Sequence, residues 1–389
     1  MIIPIVIFFI CLFLIFHTYL FYPVSMWILA FVFQKKYKID IDYLPFVSII
    51  ISAYNEKKVI NQTIDNFLRQ GYPNDKFEII IGSDGSTDGT NEIIKQIAVN
   101  NSNIVFIPFE NRRGKKFVIN DIVPQAVGDI LVFSDSNTRY ENDAICELVK
   151  YYKDEKIGGV SGRLELTEEK DLTETGNKEG TYWKYESWIK DCEGKLGALI
   201  GANGGIYSIR KKFFVPMPAA IAVVDDLYLS LKVLEQNKDF VYNKKAIARE
   251  TLAPSVNWES ERKIRIIPRS IETIKQVKKI LFHKRFIVSY GIWSHKIIRW
   301  ITPLLLILLF FSNLVISINR ANNFFNVALL IQIIIILLGI SGYFFSRRNI
   351  NIKIFQLFYY FLIINIALIK GLYMFLMKKY KPTWEPTPR

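Results

Sequence analysis

Four long apolar stretches bracket a single polar region, and nothing else in the chain limits its possible folds so sharply. Residues 2–33 carry no charge, and apolar runs follow at 300–318, 325–345 and 354–377, the last interrupted by Lys370. Crossing a bilayer takes roughly 20 such residues, so each run is long enough to span. Lys35, Lys36 and Lys38 come after the first run, whereas a cleaved leader has basic residues before a short core; an uncleaved anchor is expected. Arg347, Arg348 and Lys353 place the loop between the last two runs on the same side as Lys35, inside. Four spans then put Lys378, Lys379 and Lys381 outside, against the charge rule, so either the rule fails there or one run is not a full span; Lys370 makes the last run the weakest. The expected divisions are an anchor at 1–34, a polar domain at 45–255, basic interfacial helices at 256–299, membrane helices at 300–379 and a tail at 380–389.

The hydrophobic content of 51% follows from those runs. Cys11, Cys146 and Cys192 sit in unrelated contexts, and His17, His283 and His295 are scattered, so neither a disulfide framework nor a zinc site is expected. Of the net charge of +14, the stretch 262–299 supplies +10, with eleven Lys or Arg against Glu272. It adjoins an apolar run and includes no nucleic-acid motif, so anionic lipid headgroups are the expected partner rather than nucleic acid.

Within the polar region short apolar runs alternate with helical patterns. Strands are expected at 46–52, 77–82, 103–108 and 129–133, with helices at 56–69, from about Asp88, and at 115–126. That alternation implies an open α/β sheet with its ligand at the C-terminal strand ends. The first strand runs into Ser52-Ala53-Tyr54-Asn55-Glu56 and the second into Ser83-Asp84-Gly85-Ser86-Thr87-Asp88-Gly89-Thr90, two polar loops at neighbouring strand ends. An Asp-Gly pair is in itself an ordinary turn. No GxGxxG follows the first strand and no GxxxxGK[ST] occurs, so dehydrogenase and P-loop readings lose their phosphate cradle.

In their order, these motifs resemble glycosyltransferase family 2, inverting enzymes on the GT-A nucleotide-diphospho-sugar fold. The resemblance covers about 47–265, and the flanking runs are similar to those of membrane-bound members such as cellulose, chitin, hyaluronan and poly-N-acetylglucosamine synthases. It implies that Ser52, Ala53, Tyr54, Glu56 and Asp84 contact the uracil and ribose of a UDP-sugar, where a carboxylate can accept a base N–H or a ribose hydroxyl. Asn111-Arg112-Arg113-Gly114-Lys115, running into Phe117-Val118-Ile119-Asn120, looks like the family's GK segment, which puts Lys115 near the donor diphosphate.

Ser134-Asp135-Ser136-Asn137-Thr138 is similar to the family's DxD element, which holds Mg2+ or Mn2+ against the diphosphate. Hard cations take oxygen ligands; Asp135 is the expected ligand, and Asn137 offers an amide oxygen without the charge. Val224-Asp225-Asp226-Leu227 resembles the segment that opens a helix with the general base, Asp226, beside Asp225. Adjacent carboxylates at a helix start also complement the dipole. Before them, Gly201-Ala202-Asn203-Gly204-Gly205 matches the acceptor-side loop, implicating Gly201, Asn203, Gly204 and Gly205. Where processive members carry QxxRW, this chain has Glu259-Ser260-Glu261-Arg262-Lys263; Arg262 fits the leaving-group arginine, and Trp258 stands nearby for acceptor stacking.

The expected activity is inverting transfer from a UDP-sugar to a saccharide or lipid hydroxyl, in exopolysaccharide or capsule synthesis. It would take place at a plasma membrane crossed several times, with the polar domain in the cytosol. Single-sugar transfer to a membrane lipid is the enzymatic rival, and a non-catalytic scaffold subunit the rival of another class.

Overall fold

A computed structural model describes residues 2–167, 175–251, 256–319, 322–348, 350 and 352–380. The expected boundary at Ser255, Lys381 and the rest of the tail lie outside the described residues.

Eight strands form one mixed sheet in the order β3-β2-β1-β4-β7-β6-β8-β5. They are β1 Val47–Ala53, β2 Phe77–Asp84, β3 Ile104–Phe109, β4 Ile130–Asp135, β5 Arg139–Tyr140, β6 Ile157–Thr167, β7 Tyr207–Arg210 and β8 Asp239–Thr251. β1, β2, β3 and β4 pair in parallel, whereas β7 runs antiparallel to both β4 and β6. β1 and β2 are apolar almost throughout because both faces of the sheet are covered. The chain order reverses between β1 and β4, which opens a crevice at their C-terminal ends.

Around the sheet lie α2 (Ile60–Leu68), α3 (Thr90–Val99), α4 (Lys115–Ile122), α5 (Ala144–Val149), α6 (Thr175–Lys195) and α7 (Asp225–Glu235). Preceding them, α1 covers Ile2–Phe33. The spacing of Ile60, Thr63, Ile64 and Phe67 puts one face of α2 in the core. Two helices are shorter than their patterns suggest. α2 starts four residues after Glu56, whose stretch is a loop, and α4 passes into a 3-10 turn at Val123–Gln125, where Pro124 supplies no amide.

Among the described residues four helices are long and apolar enough to cross a membrane: α1, α9 (Phe286–Asn319), α10 (Asn323–Arg347) and α11 (Lys353–Leu376). The run expected from Trp300 therefore begins fourteen residues earlier, in a helix that continues through a π-turn at Ile292–Ile297. α1 has its own π-turn at His17–Phe21, just before Pro23. Proline has no amide for the Tyr19 carbonyl, which instead accepts the Tyr185 hydroxyl of α6 at 2.9 Å. The two π-turns meet: Thr18 Oγ1 donates to the Ser294 carbonyl, and His17 Nε2 lies 2.9 Å from Ser294 Oγ.

The basic stretch begins as one helix, α8 (Val256–Gln276), with Pro268 inside it, and goes on through a 3-10 turn at Lys278–Phe282 into the first turns of α9. The Ile264 carbonyl, which Pro268 cannot serve, faces Gly371 of α11. Past the end of α11, Tyr380 donates its hydroxyl to Glu272 of α8 at 2.8 Å. The described chain therefore ends beside α8, the helix that walls the crevice.

Candidate functional site

Register fixes the first half of the site. Ser52 pairs with Gly82 on one side and Asp135 on the other, so the loops after β1, β2 and β4 open side by side. They are laced together: the Glu56 amide donates to Thr90 Oγ1 at 2.9 Å, and Asn55 Oδ1 accepts the Thr87 amide at 2.9 Å. Ser52, Tyr54 and Glu56 line the resulting cleft, of about 410 Å³, while Ala53 is buried behind it. That volume suits a nucleotide-sized ligand. Arg112 lies over the Tyr54 ring at 3.9 Å.

Asp84 sits on the cleft floor, nearly buried, and each of its oxygens accepts a backbone amide, from Arg113 at 2.7 Å and Gly114 at 2.7 Å. It thereby shapes the loop that opens α4 and aims Lys115. The Lys115 ammonium bridges two carboxylates, Asp135 at 2.6 Å and Asp225 at 2.8 Å. Burial opposes its charge, but Asp135 and then Asp225 keep it protonated above the ordinary lysine range.

The second half comes from α7 and the loop before β7. Gly204 is tightly hemmed in: a Cβ there would lie 3.1 Å from Asp226 Oδ2 and 3.9 Å from Asp135 Oδ2. Carboxylates from β4 and α7 thus face one another across a glycine. Asn203 is fixed by its amide to Ser161 Oγ at 3.0 Å and by Nδ2 to the Gly162 carbonyl at 2.6 Å, and it accepts from Lys190 of α6. Burial first, then the Asp225 charge, push the Asp226 carboxyl up to about 6, against the pull of Lys115 and Lys190. Burial and the nearby Lys296 bring Lys190 down to about 8.

The structure brings Asp84, Lys115, Asp135, Asn137, Asn203, Gly204, Gly205, Asp225, Asp226 and Arg262 into one cleft. Gly201 and Trp258 do not line it: Gly201 is turned toward Leu227 and Lys296, and Trp258 is partly exposed on α8. Among the described residues, Trp183 of α6 is the tryptophan that does. Sequence reasoning also missed Lys190, Glu250, Arg265 and Arg269. The arginines at 262, 265 and 269 follow helical spacing and present one row to the cleft.

A divalent cation fits this donor set only with help from its ligand. Among the described residues no three His, Cys, Asp or Glu converge closely enough to hold a metal. Asp135 offers a carboxylate at the cleft, and Glu250 supplies beside Asn137 the charge that Asn137 lacks, accepting from its Nδ2 at 2.8 Å. Hard oxygen donors on one side, completed by phosphate oxygens on the other, are what Mg2+ or Mn2+ takes.

Comparison with known proteins adds three findings. Residues 48–214 match the model of glycosyl transferase family 2. Poly-beta-1,6-N-acetyl-D-glucosamine synthase of Staphylococcus aureus is 34% identical over 162 residues, 38% of this chain and 39% of that protein. Beta-monoglucosyldiacylglycerol synthase of Nostoc sp. is 29% identical over 171 residues, 43% of this chain and 36% of that protein. The chain therefore spans about two fifths of the length of these curated relatives. A mannosyltransferase from Pyrobaculum calidifontis, solved with GDP-Man and Mn2+, superposes with a TM-score of 0.70 at 18% identity over 96% of this chain and 99% of its own, a likeness of fold.

Proposed function

We propose that this chain, a family 2 glycosyltransferase by its residues 48–214, moves a sugar from a UDP-sugar to an acceptor hydroxyl with inversion, extending an extracellular polysaccharide. The observation that carries the reading is the facing pair Asp135 and Asp226 across Gly204, in the cleft that also holds Asp84 and Lys115.

In this mechanism the nucleoside lies on the loops after β1 and β2, with Ser52, Tyr54 and Glu56 as its walls and Asp84 beneath. Lys115 turns from its carboxylates to the diphosphate, joined by Arg262 and its neighbours Arg265 and Arg269. Asp135, with Asn137 and Glu250 behind it, would hold a divalent cation; when bound, that ion supplies positive charge against the departing diphosphate. Asp226 accepts the proton of the acceptor hydroxyl. The acceptor oxygen bonds to the anomeric carbon as the carbon–phosphate-oxygen bond breaks and UDP leaves. Gly204 lets the acceptor approach Asp226 without a side chain in the way. The reading places the site at a plasma membrane, on the cytosolic side.

The Staphylococcus relative supports a polymer as product, and the Nostoc relative supports a second reading, one sugar passed to a diacylglycerol. The test is UDP release by purified protein from a panel of UDP-sugars, with GDP-Man as the contrasting donor, with and without Mn2+. A Mn2+-dependent UDP signal with a ladder of oligosaccharides supports polymer synthesis, and a single glycolipid band supports the second reading. Release of GDP alone would overturn the donor assignment.

A further inference from the structure

One face of α6 carries Trp183, Glu186, Lys190 and Glu193, and it serves two places at once. Trp183 and Lys190 line the cleft. Glu186 and Glu193 are buried against α1 and α9. Both ring nitrogens of His295, on the π-turn of α9, are taken by these carboxylates: Nδ1 lies 2.6 Å from Glu193 Oε1 and Nε2 3.0 Å from Glu186 Oε2. Arg299, one turn further on α9, donates to Glu186 Oε1. From α1, the Tyr22 hydroxyl donates to Glu193 Oε1 at 2.7 Å.

The remaining oxygen of Glu193 points the other way. Oε2 accepts the backbone amide of Ile200 at 2.9 Å. Ile200 leads directly into Gly201, whose φ of +92 swings the chain toward Asn203 and Gly204 beside Asp226. Gly291 of α9 packs against the Ile200 side chain so closely that a Cβ there would lie 2.7 Å from Ile200 Cγ1. A single carboxylate thus joins two membrane-length helices to the loop facing the proposed base. The donor loops are tied instead to each other and to the sheet, through Asp84, Asn55 and Thr90.

We infer that Glu193 is a positioning residue through which α1 and α9 set the loop at 200–205, so that these two helices govern the acceptor half of the site and leave the nucleoside loops alone. This rests on the acceptor-side reading of that loop given above. A fully buried carboxylate satisfied by an amide, a hydroxyl and an imidazole is a rigid joint, because loss of any partner leaves a desolvated charge.

The test uses the full chain in lipid nanodiscs and compares Tyr22→Phe, Glu193→Gln and Glu193→Ala with the wild type. Three quantities are read: hydrogen exchange of the segment 198–206, UDP affinity in the presence of Mn2+, and UDP release from UDP-N-acetylglucosamine. Loss of a hydrogen bond to a charged acceptor raises exchange at the 200–205 amides about tenfold in Glu193→Ala and roughly fivefold in Tyr22→Phe. Glu193→Gln keeps an acceptor for the Ile200 amide and falls between wild type and Glu193→Ala. UDP affinity stays within about twofold throughout, and release slows in step with exchange. Unchanged exchange in all three variants, or UDP affinity falling in parallel with it, overturns the inference. Should Glu193→Ala fail to fold, Tyr22→Phe, which removes one hydroxyl, decides. A wild type that binds no UDP would refute the donor reading, and the exchange measurement would still decide the coupling.

Discussion

Replacing Lys190 by Met should move the pH dependence of transfer upward. In the wild type, burial and the Asp225 charge raise the Asp226 carboxyl to about 6, and Lys115 and Lys190 hold it from going higher. A base must be ionised to accept a proton, so turnover is full above that value and lost as pH falls through it; at one pH unit below, roughly a tenth of the enzyme carries the base in its active form. The Lys190 charge favours ionised Asp226. A unit charge at ~6 Å in an effective dielectric near 20 contributes about 3 kcal/mol. Discounted by half for the open side of the cleft, this corresponds to about one pKa unit. The acidic limb of kcat/KM for Lys190→Met should therefore sit near pH 7, with the high-pH plateau lower because Asn203 loses its donor. The assay is UDP release from pH 5 to 8.5 with the most active donor of the panel. A limb that stays near 6, or moves down, refutes the electrostatic coupling between Lys190 and Asp226.

Lys115→Met leaves the Asp135 and Asp225 carboxylates without their shared ammonium. Calorimetric titration should show UDP affinity reduced roughly ten- to hundredfold, an effect of about 1.4–3 kcal/mol for a partly solvated charge contact; unchanged affinity removes Lys115 from the donor site. Asp239, nearly buried at the start of β8, accepts from Lys35 at 2.7 Å, Tyr37 at 3.2 Å and Arg285 at 2.9 Å, clamping the chain after α1 and the chain before α9 to the sheet. Asp239→Ala removes the carboxylate that two cations share and should cost about 2–3 kcal/mol, discounted for the exposure of Lys35, read as a lower thermal unfolding midpoint in detergent. An unaltered midpoint contradicts that clamp.

Sequence revealed the half of the cleft built by β1, β2 and β4 more fully than the half built by α6, α7 and α8, for a physical reason. Ser52, Asp84 and Asp135 end buried parallel strands, and apolar runs closed by polar loops announce such positions. Asp225 and Asp226 look alike as neighbours in sequence. Only the fold separates them, Asp225 against Lys115 and Asp226 against Gly204. Lys190 and Trp183 lie on α6, where residues facing the cleft and residues facing α1 and α9 share one stripe, so a simple apolar face does not emerge. Arg265 and Arg269 flank Pro268 in a continuous helix backed by α11, and only that packing decides which face of the helix meets the cleft. The tryptophan beside the cleft is Trp183 rather than Trp258, because proximity in sequence to Arg262 does not decide which way a side chain on α8 faces.

One substitution reaches the heart of the matter: Asp226→Asn, which preserves shape while abolishing the capacity to take a proton. Measured side by side, UDP affinity in Mn2+ should remain within about threefold of wild type while sugar transfer falls by at least about a thousandfold. Transfer persisting near the wild-type rate would show that the acceptor proton goes elsewhere and that the carboxylate facing Asp135 across Gly204 is not the base.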